Sequence, residues 1–157
     1  MQKISPCLWF DGNAEEAANF YVSVFKSARI TEIMRHTESS PGPAGSTLAV
    51  LFELEGEDFM ALNGGPEFKF TPAISMFIKC DTQAEIDHYW DKLLDGGEAM
   101  ACGWLTDRYG VTWQIAPRRL LTMLQDPDPV KADRTMKAMM GMIKLDLPTL
   151  QKVYDGA

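Results

Sequence analysis

A strand followed by an amphipathic helix occurs twice along this chain, and that recurrence restricts the fold more than any other feature of the sequence. The apolar side chains of residues 17–25 and of residues 86–94 return at intervals of three and four positions, as on the buried face of an α-helix. An apolar run precedes each helix, at residues 4–10 and 74–80. The pattern predicts one supersecondary unit that is present twice.

Further apolar runs follow each helix and complete the predicted unit. After the first helix they are residues 28–36, 47–56 and 58–63, and after the second they are residues 98–102, 104–107 and 111–116. Gly, Pro, Asn and Ser separate many of these runs, as expected of turns between strands. The order is therefore β-α-β-β-β in each half. The first strand is apolar on both alternating faces, so we expect it to be covered on both sides.

These elements predict an α+β fold with two βαβββ modules in a single domain, residues 1–157. Module one covers about residues 3–65, module two covers about residues 72–117, and residues 118–157 form a helical C-terminal extension. Within the extension, Met136, Met139 and Met140 share one helix face. Such a stripe ordinarily packs inside the molecule, although a ligand site or a dimer contact would use the same adaptable thioethers.

The composition excludes several classes of partner. A formal charge of −7 and a pI near 4.8 argue against nucleic acid, whose phosphates require clustered Lys and Arg. No apolar run approaches the ~20 residues of a membrane helix, and the N-terminus lacks the pattern of a signal peptide. Three widely spaced cysteines, Cys7, Cys80 and Cys102, indicate neither a disulfide framework nor a zinc ribbon. We therefore expect a cytoplasmic protein with no nucleic-acid partner and no membrane partner.

Few residues suit cofactor or nucleophilic chemistry. The turn after the first strand contains one glycine, Gly12, whereas a nucleotide-cofactor fold needs a glycine-rich turn there. Of the two histidines, His88 lies on the polar side of its helix, and His36 ends a strand, where it is either exposed or reaches a cavity mouth. Cys102 lies beside a glycine turn, but no His or Lys is near it in sequence. We expect no cofactor.

Three segments carry a resemblance to a known family. The segments are LWFDGNAEEAANFYVSVF, LNGGPEFKFTPAIS and CGWLTDRYGVTWQIAP. They lie within residues 3–120 and resemble the PhnB-like branch of the vicinal-oxygen-chelate (glyoxalase/bleomycin-resistance) superfamily. The resemblance implies two modules with strongly curved mixed sheets, a cavity that binds a small molecule, and a homodimer. Many relatives carry the label 3-demethylubiquinone-9 3-methyltransferase, but we do not expect true methyl transfer, because the sequence shows no nucleotide-cofactor fold.

The resemblance also implies where a metal ion would be held. Metal-using relatives place His, Gln or Glu on four strands, at positions that correspond here to Pro6 or Cys7, Ala61, Ser75 and Gln114. Only Gln114 is an ordinary ligand type, and one neutral amide oxygen cannot offset the dehydration of a divalent cation. We expect no metal at these positions. Glu53 and Asp107 are available for a site of another arrangement, although each also has an ordinary structural explanation.

The leading hypothesis is a metal-free cavity that binds a small, partly apolar metabolite or xenobiotic. Its predicted lining combines aromatic and polar side chains, namely Trp9, Asn63, Ser75, Trp104 and Gln114, as is typical of small-molecule sites. One alternative is a metal-dependent lyase, isomerase or dioxygenase-type enzyme of the same superfamily. The other is a dimeric interaction module in which the Met-rich helices matter and the cavity is vestigial. No catalytic residue is predicted.

Overall fold

The computed structural model describes residues 2–157 and contains two compact units, with the boundary between Phe70 and Thr71. The first unit has the predicted β-α-β-β-β order: β1 (Cys7–Phe10), α1 (Ala14–Val24), β2 (Ala28–Arg35), β3 (Thr47–Leu54) and β4 (Glu57–Asn63). Its strands form one mixed sheet in the order β1-β4-β3-β2. Strand β1 runs parallel to β4, whereas β3 is antiparallel to both of its neighbours.

One face of the first sheet carries the core of this unit. Leu8, Ala61 and Val50 lie side by side on β1, β4 and β3 and are almost completely buried. Helix α1 covers this face, and its Tyr21 ring stacks on Phe52 of β3 with 6.2 Å between the ring centroids. Because side chains alternate along a strand, the neighbouring positions project from the opposite face.

That opposite face is more open than the sequence indicates. Strand β1 lies at the edge of its sheet, and on this face Trp9 is half-buried and Cys7 is exposed. The expectation that β1 is covered on both sides is therefore wrong at Cys7. A short apolar run does not reveal whether a second layer covers the face that the helix leaves open.

The second unit repeats the order and adds three helices. Its elements are β5 (Met76–Cys80), α2 (Gln83–Leu94), β6 (Glu98–Ala99), β7 (Trp104–Thr106), β8 (Thr112–Pro117), α3 (Arg118–Leu124), α4 (Pro129–Met140) and α5 (Leu147–Asp155). The sheet order is β5-β8-β7-β6, again with the first and last strands parallel. Strands β6 and β7 have two and three residues, which explains the weak alternation in this part of the sequence.

Helix α2 begins where the Thr82 side chain accepts a hydrogen bond from the Glu85 amide, a side-chain cap that satisfies one of the free N–H groups of the first turn. The helix packs against β5, β7 and β8. On β8, Trp113 and Ile115 are almost completely buried. Gln114 alternates with them, so it projects from the face of the sheet that α2 does not cover.

The C-terminal helices form a separate part of the core of the second unit. Leu120, Leu145 and Leu150 pack with Ala116 of β8, and Met139 contacts this cluster. In contrast, Met136 and Met140 are 40% and 62% exposed. Interior packing of the methionine stripe is confirmed for Met139 alone, because α4 turns only one side toward the cluster.

The predicted fold class is confirmed: the chain is α+β, with two βαβββ units, each with a four-stranded mixed sheet, and additional C-terminal helices. Each sheet is open, and the helix that follows its first strand, α1 or α2, covers one face. Across residues 2–157, no helix combines the length and the apolar composition needed to cross a bilayer.

Candidate functional site

The face of the second sheet that α2 does not cover contains three of the five predicted site residues; the C-terminal helices pack on it at Ala116, at the end of β8. In the register of the sheet, Gln114 on β8 lies directly between Trp104 on β7 and Phe77 on β5. Residues paired across neighbouring strands project from the same face. Trp104 and Gln114 are half-buried, and Phe77 is 40% exposed. This row therefore presents two aromatic side chains on either side of an amide.

Ser75, the third predicted residue, joins this row through a hydrogen bond. The Nε2 of Gln114 donates to the Ser75 hydroxyl oxygen across 2.9 Å. The bond orients the amide and leaves the Gln114 carbonyl oxygen as an acceptor and the Ser75 hydroxyl hydrogen as a donor. The pair is therefore able to bind one donor and one acceptor of a ligand.

A buried hydroxyl lies on the same face. Thr112 is two residues before Gln114 on β8 and pairs with Thr106 of β7. Its residue exposure is 1%, and its Oγ1 has no hydrogen-bond partner among residues 2–157. A buried hydroxyl without a partner costs about 1–3 kcal/mol of stability. The free energy of folding therefore does not explain a threonine, rather than a valine, at this position.

Asp107 has a structural role, as its position in a turn indicated. The residue is 3% exposed, and its Oδ1 accepts hydrogen bonds from the amides of Tyr109 and Val111 at 2.8 and 3.1 Å. Its Oδ2 accepts from the Trp113 indole N–H at 2.9 Å. The carboxylate therefore closes the turn before β8 and orients the buried indole, which is a structural use rather than a ligand-binding one.

In the first unit, Trp9 is held by the turn that follows β4. Its indole Nε1 donates to the Gly65 carbonyl over 2.9 Å, and its ring meets Phe68 edge-on at 4.9 Å between centroids. A Cβ added at Gly64 would clash with the indole, so the ring lies flat against the glycine backbone. The Gly-Gly pair is thus needed for close approach to Trp9.

Asn63 lies on the other face of the first sheet from Trp9. It pairs with Phe10 across the sheet, its Oδ1 accepts from the Ala14 amide at 2.9 Å, and its Nδ2 donates to the Thr47 carbonyl at 3.1 Å. The side chain therefore satisfies the first amide of α1 and links the helix to β3 and β4. Both ends of its amide are already used within the unit.

The positions that correspond to metal ligands in relatives do not provide a metal site here. Cys7 is exposed and Ser75 is bonded to Gln114, while Ala61 has no donor atom and lies beside Leu8 on the face that α1 covers. Hydroxyl and amide groups are weak substitutes for the charged or imidazole ligands that divalent ions require. Within residues 2–157, no three His, Cys, Asp or Glu side chains converge on one point.

A shallow cavity of about 430 Å³ lies at the end of β4 in the first unit, and both His36 and Glu15 line it. Three of the polar side chains that line this cavity, Glu15, His36 and Asn63, already have hydrogen-bond partners within the fold. Glu15 accepts a hydrogen bond from the Thr47 hydroxyl at 2.7 Å, and the His36 Nδ1 lies 3.0 Å from the Ser40 hydroxyl. We therefore do not choose this cavity as the functional site.

Two residues of the second sheet face were not predicted, although the sequence carries their signal. The run Ser75-Met76-Phe77-Ile78-Lys79-Cys80 alternates between two faces. Phe77 and Lys79 are exposed, while Cys80 is completely buried. Aligning this alternation with Ser75 would have placed Phe77 and Lys79 beside the predicted site. The partners of Phe77 on β8 and β7, in contrast, come only from the register of the sheet.

Comparison with known proteins is consistent with this architecture. The family model described as 3-demethylubiquinone-9 3-methyltransferase matches residues 2–116. A solved structure described as a putative 3-demethylubiquinone-9 3-methyltransferase, PhnB protein, from Bacillus cereus is 39% identical. The match covers 74% of this chain and 98% of that chain, with a TM-score of 0.67. The matched family region ends within β8, before the C-terminal helices begin.

More distant structures share the fold. A Pseudomonas aeruginosa protein is 22% identical over 74% of this chain and 98% of its own, with a TM-score of 0.61. A glyoxylase/bleomycin resistance protein/dioxygenase domain from Frankia is 9% identical over 75% of this chain and 93% of its own, with a TM-score of 0.50. No curated protein matches the chain significantly.

Proposed function

The chain belongs to the 3-demethylubiquinone-9 3-methyltransferase (PhnB-like) family within the glyoxalase/bleomycin-resistance superfamily, and from this premise we propose that it binds a small, partly apolar molecule. The proposed site is the face of the second sheet that α2 does not cover, beside the part of it on which the C-terminal helices pack at Ala116. The observation that carries the proposal is the row of Phe77, Gln114 and Trp104 with Ser75 bonded to the central amide.

The chemistry of this row supports a ligand. A 40% exposed phenylalanine and a half-buried tryptophan leave apolar surface in contact with water, and covering it stabilises a complex by about 25 cal/mol for each Å². The oriented amide and hydroxyl supply the few polar contacts that fix a ligand within an otherwise apolar site.

The other predicted residues take different roles in this proposal. Trp9 belongs to the first unit and stays a predicted ligand contact on the helix-free face of that sheet, where Phe68 and the Gly-Gly turn hold its ring. We assign Asn63 a supporting role, because its amide links α1 to the sheet.

Methyl transfer and metal catalysis are not part of the proposal. The turn after β1 has one glycine and runs into α1 within a four-stranded mixed sheet, whereas a doubly wound nucleotide-cofactor fold has a glycine-rich turn and a largely parallel sheet. At the positions that hold metal ligands in relatives, this chain has Pro6 or Cys7, Ala61, Ser75 and Gln114. These residues offer few of the charged or imidazole donors that a divalent ion requires. The chain's own residues therefore support binding and orientation of a ligand and provide no recognisable acid, base or nucleophile.

We further propose a cytoplasmic homodimer. All three cysteines are free thiols, as is typical of a reducing compartment. On the second unit, Met136, Met140 and Ile143 are 40%, 62% and 54% exposed, and exposed apolar side chains of this kind are a common element of subunit contacts. Sedimentation velocity of the full chain, compared with a variant in which Met140 and Ile143 are replaced by Gln, tests the dimer.

The binding site is tested by NMR of the ¹⁵N-labelled full chain. The four tryptophan indole N–H signals report from different places, and the Trp104→Phe variant identifies the signal of Trp104. We expect 2-naphthol to shift this signal in a saturable way, while the signals of the buried Trp90 and Trp113 change little. An unmoved Trp104 signal in the folded protein would argue against the site for this class of ligand.

Two variants connect the binding to the polar pair. Gln114→Ala removes one oriented amide, and because one hydrogen bond contributes about 0.5–1.5 kcal/mol, it should weaken 2-naphthol binding about 3- to 10-fold. Gln125→Ala is the matched control, since this exposed side chain bonds only to the Leu121 carbonyl one helical turn away. Equal affinities of the two variants would contradict the role of Gln114.

A further inference from the structure

The charged groups of the second sheet face suggest which ligands it selects. On β5, Lys79 follows Phe77 by two positions and pairs with Ala116 of β8, so it projects from the same face. The other charged residue of the four strands on this face is Glu98, which pairs with Thr106 at the far edge. The cation is therefore adjacent to Phe77 at one edge of the row, and the anion lies about 8 Å from Trp104 at the other edge, one strand spacing across and two residues along.

Sheet geometry gives the separation of the two charged positions. Lys79 lies on one edge strand and Glu98 on the other, three strand spacings apart, which corresponds to about 14 Å across the sheet. Along the strands they are offset by about four residues, or about 13 Å. At a direct separation near 20 Å, exposed charges are well beyond the Debye length of about 8 Å in physiological salt. Glu98 therefore does not neutralise Lys79 itself, and an anionic group is favoured at the Phe77 edge of the row rather than at the Trp104 edge.

The Cα spacing of the aromatic row matches the thickness of one flat ring between two aromatic side chains. Phe77 and Trp104 are separated by two strand spacings, or about 9.5 Å between Cα atoms. A flat ring stacked between two aromatic side chains needs about 7 Å, which is twice the usual carbon–carbon contact distance. Such a ring would lie over Gln114, with Ser75 at one end and Lys79 at the other.

From this arrangement we infer that the site selects planar aromatic anions, with an aromatic carboxylate as the ligand class and Lys79 as its counter-ion. The inference rests on the proposed function and adds the charge of the ligand to it. Two residues along a strand span about 6.6 Å, a distance that the flexible four-carbon stem of lysine bridges. The ring packs between Phe77 and Trp104, and the carboxylate meets the ammonium group.

The negative net charge of the chain means that an anionic ligand needs a local cation. The chain has a formal charge of −7, which repels anions in general. A protein of this charge that nevertheless prefers an anionic ligand must do so through a local group. Lys79 is the cation that the sheet places on this face, whereas Arg118, near the end of β8, is paired with Asp81 at 3.1 Å.

The test compares two ligands of the same shape and different charge. Titrations of the ¹⁵N-labelled full chain with 2-naphthoate and with 2-naphthamide are followed at the Trp104 indole signal. We expect 2-naphthoate to bind about 2- to 5-fold more tightly, as exposed ion pairs allow, and this preference should decrease as salt is raised. Lys79→Gln should abolish the preference, whereas Lys92→Gln, on the helix that covers the opposite face, should retain it.

The outcomes separate this inference from the proposed function. If both compounds shift the Trp104 signal with equal affinity, and Lys79→Gln changes neither, charge selection is wrong while the binding site stands. If neither compound shifts that signal although the Trp90 and Trp113 signals show a folded protein, both the inference and the proposed site fail. A preference that survives Lys79→Gln would assign the selection to another residue and would overturn the role of Lys79.

Discussion

The replacement Asp107→Ala should destabilise the protein strongly through three hydrogen bonds. The carboxylate accepts from the amides of Tyr109 and Val111 and from the indole of Trp113. A buried donor that loses its acceptor costs about 1–3 kcal/mol. The amide of the half-buried Tyr109 regains contact with water more easily than the other two donors. We therefore expect a total loss of about 3–5 kcal/mol rather than the full sum.

Such a loss is a large part of the stability of a small protein, which is about 5–15 kcal/mol. It is measured by urea unfolding followed by circular dichroism at neutral pH, with the summed fluorescence of the four tryptophans as a second probe. The Asp107→Asn variant tests the bond to the Trp113 indole separately from the bonds to the two amides. Its carbonyl oxygen can still accept from the two amides, but its NH2 group would face the indole N–H, so the loss should be intermediate.

The matched control is Asp95→Ala, which removes a carboxylate whose side chain is 79% exposed and which pairs with Arg108 at 3.1 Å. Surface ion pairs of this kind contribute less than about 1 kcal/mol. If Asp107→Ala were no more destabilising than Asp95→Ala, or if Asp107→Asn were as stable as the native chain, the hydrogen-bond account of this turn would be refuted.

Three further predictions use the same unfolding assay. Thr112→Val removes a buried hydroxyl that has no partner among residues 2–157 and should stabilise the protein by about 1 kcal/mol; a loss of stability would reveal a bond that the structure does not show. Asn63→Ala removes the side-chain bond to the Ala14 amide and should cost about 1–2 kcal/mol, and an unchanged midpoint would contradict this. Burial raises the pKa of Cys80 from 9.0 to about 12. Because the thiol ionises first in the unfolded chain, the contribution of Cys80 to stability should be constant below pH 9 and should fall by about 1.4 kcal/mol per pH unit between pH 9 and about 12. At pH 8.5, iodoacetamide should modify the exposed Cys7 but should reach Cys80 only after unfolding; modification of Cys80 in the folded protein would contradict its burial.

Part of the candidate site could be predicted from alternation within single strands. Gln114 lies between Trp113 and Ile115, and that pattern places the amide opposite the apolar face. Its hydrogen bond with Ser75 joins residues that are 39 positions apart in sequence, so no local pattern indicates it. Phe77 was overlooked because a phenylalanine in an apolar run is normally assigned to the core.

For Asn63, in contrast, the sequence leaves two roles open. Its position in an Asn-Gly-Gly-Pro turn is equally compatible with a ligand contact and with a structural bond. The choice depends on the start of α1, whose first amide lies 2.9 Å from the Asn63 side chain although the two residues are 49 positions apart. Asp107 is similar, because its burial and its bond to Trp113 follow from the packing of the turn beneath β8.

The amino-acid sequence by itself determined the order of the elements, the two helices with their buried faces, and the repetition of the βαβββ unit. These features arise from interactions between residues a few positions apart, and the periodicity of apolar side chains records them directly. Only the tertiary structure decided which strands pair, which face of each sheet remains open, and that Phe77, Gln114 and Trp104 form one row. Strand pairing joins distant segments, and a shift of one residue in register would turn every side chain of a strand to the other face.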